Sequence, residues 1–116
     1  MFWNDQHPRG LNFLPRMFFA ECKNWASPVG SAEVSLFDRK LQDHGLDFGI
    51  IAAMNGITGD ANQLSSAHQI IAAALRERRD IVVITRSEIE AVRTSGDIVD
   101  LMKRKLVRLH ARRTSL

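Results

Sequence analysis

Apolar residues along this chain fall into two alternating patterns: short continuous runs, and longer stretches repeating every three to four positions. The run Met17-Phe18-Phe19-Ala20-Glu21-Cys22-Lys23 is β-compatible, and Pro15, which cannot continue a helix interior, suits its start. Ser27-Pro28-Val29-Gly30 reads as a loop, after which Ser31 stands as N-cap of a helix to His44. Val34, Phe37 and Leu41 share one face of that helix, and Gly45 is placed to end it. Phe48 to Met54 is apolar throughout, bounded by glycines, and reads as a parallel strand buried on both faces.

The second half repeats the alternation. A loop, Asn55 to Asp60, leads to a helix from Ala61 to Arg79 with an apolar stripe of Leu64, Ala67, Ile70, Ile71, Ala74 and Leu75. Asp80 to Thr85 is a β-branched strand. Ser87 with Glu90 has the form of a capping box opening a short helix. A final helix from Gly96 to His110 should bury Ile98, Leu101, Met102, Leu106 and Leu109. The order β-α-β-α-β-α-α predicts an α/β fold, a three-layer α/β/α arrangement around a small, mostly parallel sheet covered on both sides. Residues 1–15 are polar and turn-rich and read as a loop segment, leaving 16–116 as the domain. Three strands make a thin sheet, so elements that normally precede the first strand are expected to be missing from this chain.

Composition sets the class. With 116 residues, 45% hydrophobic and 25% charged, the chain is one small globular domain rather than a disordered, collagen-like or disulfide-framework protein. No apolar run approaches the roughly 20 residues that span a bilayer, and the N-terminus lacks the pattern of a signal peptide. A lone cysteine, Cys22, fits a reducing compartment, so a cytoplasmic location is expected. The net charge is only +3, but Lys103, Arg104, Lys105, Arg108, Arg112 and Arg113 crowd the last turns around His110. Such a cluster reads either as a phosphate-contacting surface or as cations complementing a helix C-terminus.

Glu21 and Lys23 are the chemically suggestive pair. On a strand they share one face while Cys22 takes the other, and they sit at the C-terminal end, where open parallel sheets form ligand crevices. Opposite charges inside an apolar strand are costly unless paired, exposed or used. A carboxylate is the hard ligand Mg²⁺ prefers, and a neighbouring ammonium can offset charge developing on a phosphate. The triplet alone carries little weight: Asp38-Arg39-Lys40 also matches, within a predicted helix where i and i+2 do not share a face. Without further support, Glu21 and Lys23 read equally as an ion pair at a strand end.

The segment Phe18-Phe19-Ala20-Glu21-Cys22-Lys23-Asn24-Trp25 resembles the third-strand motif of the PD-(D/E)xK nuclease superfamily, in the form seen in Mrr-like restriction endonuclease domains. The order of elements after it is similar as well, so the resemblance covers residues 16–109, although its sharpest part is five residues long. It implies a restriction-endonuclease-like fold and a DNA endonuclease using Mg²⁺ or Mn²⁺ for phosphodiester hydrolysis. Glu21 would be a metal ligand, Lys23 the catalytic lysine, and the Cys22 backbone carbonyl a further metal ligand. DNA would be the partner, with Lys103, Arg104, Lys105 and Arg108 contacting it, and a homodimer is conceivable. The family also needs an aspartate on the preceding strand. Upstream of Glu21 the only acidic residue is Asp5, the candidate for that metal-ligand role although its flanks are not strand-like. Two rival readings follow: a non-catalytic nucleic-acid-binding remnant of the same fold, or a small α/β interaction or oligomerisation module.

Other residues have plainer explanations. Glu33 could approach the site, or simply favour the first turn of its helix. Gly56-Ile57-Thr58-Gly59 lacks the spacing of a phosphate-binding loop and reads as a turn with a cap. Gln69 could line a cleft, but edge packing also explains it and His68. His7, His44 and His110 have no partners at zinc-ligand spacing. Cys22 is expected to be a buried structural thiol, and Trp25 to pack rather than stack on a base.

Overall fold

The first β-α-β unit forms where the periodicity places it. In the computed structural model, which describes residues 1–23 and 28–116, strand β2 (Met17–Lys23) leads to α1 (Ser31–Asp43) and returns in β3 (Phe48–Ala53). Helix α2 (Ala61–Arg76) then crosses to β4 (Asp80–Thr85), followed by α3 (Arg86–Glu90) and α4 (Ser95–Arg112). A two-residue strand, β1 (Phe2–Trp3), precedes them all and pairs antiparallel with Phe18 and Met17. The sheet is therefore mixed, in the order β1-β2-β3-β4, with β2, β3 and β4 parallel. A strand at Phe2–Trp3 was not legible because both residues are exposed, so no alternation of burial marks them.

Helices α1 and α2 cover one sheet face. Val34, Phe37 and Leu41 of α1 and Ala67, Ile71 and Ala74 of α2 pack with Ile51, Ala53, Ile81 and Val83. Gly49 permits this close approach: a Cβ there would lie 2.5 Å from the Phe37 ring and 3.0 Å from Leu41 Cδ2. On the other face, Leu101 and Met102 of α4 pack with Leu14, Phe18, Phe48 and Val82. Ser115 seals the outer edge of β4, donating from Oγ to the Ile81 carbonyl at 2.8 Å and accepting from the Val83 amide at 3.2 Å.

Several expectations need correction. The second face is covered only in part, since Ala20 and Cys22 of β2 are exposed; the Cys22 thiol is accordingly not a buried one. Ile98 is 43% exposed rather than buried. The cap of α1 is Gly30, whose amide donates to the Glu33 carboxylate at 2.8 Å, and not Ser31. Helix α3 is capped two residues earlier than expected, by Thr85 and Glu88 instead of Ser87 and Glu90. Gly45 does end α1 in a left-handed turn, with φ of +63°. No helix among the described residues is long and apolar enough to cross a membrane.

Candidate functional site

The parallel register sets Glu21 beside Ile51, itself beside Val83, and Lys23 beside Ala53, itself beside Thr85. Both charged side chains thus rise from the C-terminal half of β2 on the face that α1 and α2 cover. Helix α1 presses on that face through Phe37 and Leu41, and Lys40, on the rim of the same stripe, reaches down to β2. Its ammonium donates to Glu21 Oε1. The Lys23 ammonium lies 3.1 Å from Oε2. Oε2 is buried, and the ion pair with Lys23 is what compensates its charge there. Burial pushes the Glu21 carboxyl up, but the Lys40 and Lys23 ammoniums more than offset this and hold its pKa below the ordinary carboxylate value. Exposure grades outward through the cluster: 14% for the Lys23 side chain, 27% for Glu21 and 49% for Lys40.

Lys40 is the residue that sequence reasoning passed over. It stood in the triplet Asp38-Arg39-Lys40, set aside because its first and third members diverge on a helix. They do diverge: Asp38 pairs with Arg79 while Lys40 joins Glu21. The available signal was the α1 stripe itself, since Lys40 follows Phe37 by three positions and so borders the face that meets the sheet.

The Lys23 carbonyl accepts from the Met54 amide at 3.2 Å, so it faces β3. Carbonyls alternate along a parallel strand, and the Cys22 carbonyl therefore faces the opposite edge. Among the described residues, strand pairing on that edge stops at Phe18. Asp5 does not reach the site. β1 runs antiparallel to β2, the Asn4 amide donates to the Arg16 carbonyl, and the Gln6 side chain donates to the Leu14 carbonyl. Asp5 thus lies at the start of β2, and with about 3.3 Å of rise per residue Glu21 is on the order of 15 Å further along. The structure contradicts its expected place in a metal site.

Glu33, Asp60 and Glu88 are engaged elsewhere. Glu33 closes the α1 cap, Asp60 caps α2 by accepting from the Gln63 amide at 2.9 Å, and Glu88 pairs with Lys105 at 2.9 Å. Gly56, with φ of +82°, makes the turn before Asp60 rather than a phosphate cradle. Among the described residues no group of three or more His, Cys, Asp or Glu side chains is disposed to hold a metal ion. Asn24 and Trp25 lie outside the described residues, and the segment from Asn24 to Ser27 carries no acidic side chain. One carboxylate facing two ammoniums does not fit a divalent cation, which needs several oxygen ligands and a negative surround.

On α4, Lys103, Arg104 and Arg108 are exposed, and Lys103 lies over the Phe13 ring. Lys105 is different: it is 4% exposed and held by Glu88 and the Ser115 carbonyl, so it presents no charge to a nucleic acid. Its expected DNA contact is corrected by that burial. His68 Nδ1 pairs with the Thr114 hydroxyl, tying α2 to the C-terminal segment, and Gln69 is exposed beside it.

No curated protein and no solved structure matches the chain significantly. A family model described as restriction endonuclease, Mrr_cat, matches residues 5–89. That span contains β2 with Glu21 and Lys23, α1 with Lys40, β3, α2 and β4, arranged in the mixed sheet and flanking helices of a restriction-endonuclease-like fold. The chain belongs to the restriction endonuclease family.

Proposed function

We propose that this chain is a DNA-engaging domain of the restriction-endonuclease type, meeting the phosphodiester backbone at Glu21 and Lys23. The observation that carries the reading is the charged cluster on an otherwise apolar sheet face, at the C-terminal half of a parallel strand. The exposed cations Lys103, Arg104 and Arg108 supply a second, sequence-independent contact with phosphate.

Divalent-metal-dependent hydrolysis is the second reading, and one observation favours it. Among the described residues the outer edge of β2 is paired only at Met17 and Phe18, and the Cys22 carbonyl faces the rest of it. A carboxylate-bearing strand added there, from another segment of polypeptide or a second copy, would supply the second acidic ligand that such hydrolysis needs. Without one, the residues present are suited to holding DNA.

Both readings meet in one experiment. The purified chain is mixed with a labelled duplex across a salt series, and with plasmid in Mg²⁺ or Mn²⁺ beside Glu21→Ala. The expected result is retention that weakens steeply with salt, and intact plasmid. Absence of retention at any salt concentration overturns the reading. Cleavage lost in Glu21→Ala establishes the endonuclease instead.

A further inference from the structure

The Glu21 cluster has a charge balance that sets what it can bind. A metal site of nuclease type gathers carboxylates and backbone oxygens around a cation, whereas here, among the described residues, a single carboxylate lies between two ammoniums. We infer that Lys40 is a specificity-determining residue: it occupies the Glu21 carboxylate, excludes a divalent cation from it, and makes the cluster a phosphodiester oxyanion site that works without metal. This rests on the reading of Glu21 and Lys23 as the place where DNA is met.

The geometry supports the assignment at three points. Lys40 and Lys23 approach different oxygens of Glu21, so neither carboxylate oxygen faces an approaching cation without a positive charge beside it. The Lys40 side chain is half exposed, so its ammonium is presented outward while Lys23 stays beneath. Helix α1 is also fixed in place: Phe37 and Leu41 press on the sheet across Gly49, and Asp38 is tied to Arg79 at 2.9 Å. The Lys40 backbone therefore cannot drift from β2, and its long side chain can release Glu21 only by changing rotamer. A phosphate arriving between the ammoniums competes with Glu21 for them; a cation arriving at Glu21 must displace Lys40.

The test uses two probes on the intact chain and on Lys40→Met, with Lys40→Arg as the conservative variant. Binding of Mn²⁺ alone is followed by electron paramagnetic resonance, without DNA. Lys40→Met is expected to bind Mn²⁺ at least about tenfold more tightly than the unmodified chain, the scale of removing one positive charge beside a dication near the protein surface. Lys40→Arg should restore the exclusion. Binding of a labelled duplex in EDTA should lose about one unit of salt slope in Lys40→Met, the signature of one phosphate contact. Equal Mn²⁺ affinity in the unmodified chain and Lys40→Met overturns the inference, as does an unchanged salt slope. If no variant retains DNA, the reading of the chain as DNA-engaging fails, and the Mn²⁺ comparison alone still decides whether Lys40 guards Glu21. Lys40 lies at the helix surface, so folding of both variants is checked directly by their circular dichroism.

Discussion

Arg79, in the turn before β4, grips Asp38 of α1 from two sides, Nε to Oδ1 at 2.9 Å and a terminal nitrogen to Oδ2 at 3.3 Å. Both side chains are only 13% exposed, so the pair is largely withdrawn from water. Removing one partner leaves a poorly solvated charge. Arg79→Ala should therefore cost about 3 kcal/mol in denaturant unfolding, the lower end for a broken buried pair. Arg79→Lys should recover little of it, because an ammonium cannot reproduce the forked geometry.

Gly49 is the second support of the same helix. In Gly49→Ala the new methyl meets the Phe37 ring at 2.5 Å, well inside contact distance, and α1 must move outward. Overpacking of this kind costs roughly 1–3 kcal/mol. Lys40 moves with the helix, so the variant should also show a weakened Lys40–Glu21 pair, read as an upward shift of the Glu21 carboxyl in carbon-detected NMR titration.

The Glu21 titration itself gives a third expectation. Two ammoniums hold its folded-state pKa below the ordinary value against the upward push of burial. Lys40→Met removes one of them, so the carboxyl should titrate at higher pH than in the unmodified chain. An unmoved or lower Glu21 pKa would contradict the observed pairing.

Lys105 and Glu88 join α4 to α3 in a partly buried pair. Burial pushes Glu88 up, but Lys105 and the Thr85 amide hold its pKa below the ordinary 4.5. A depressed carboxylate adds stability that is present in full above its unfolded-state pKa and is lost as pH falls through the folded-state value. Lys105→Met should accordingly destabilise the chain by about 2–3 kcal/mol near neutral pH. The difference between the two proteins should shrink as the pH drops below 4.5, measured by urea unfolding at each pH.

The strands β2, β3 and β4 and the helices α1 and α2 were legible because each is long enough to show its period. What escaped depends on contacts between distant segments. Cys22, with no base near it in sequence, reads as a buried structural thiol, yet the helix that would cover it packs toward β4 and leaves β2 open. Lys105 looked like one more surface cation of a basic helix, and only the return of residues 114–116 along β4 encloses it. Thr85 outcompeted Ser87 as the α3 cap because β4 delivers it with its amide facing Glu88. The candidate site was half legible: Glu21 and Lys23 share a strand face by simple alternation. Lys40, seventeen positions on from Lys23, comes to them only through the packing of α1 across Gly49.

The most direct measurement is equilibrium binding of a labelled DNA duplex in EDTA across a salt series, comparing the unmodified chain with Lys23→Met. Binding by the unmodified chain should fall steeply with salt, and Lys23→Met should bind more weakly with a slope shallower by about one unit. Equal affinity and equal slope in the two proteins would place DNA contact away from Glu21 and Lys23 and contradict the proposed site.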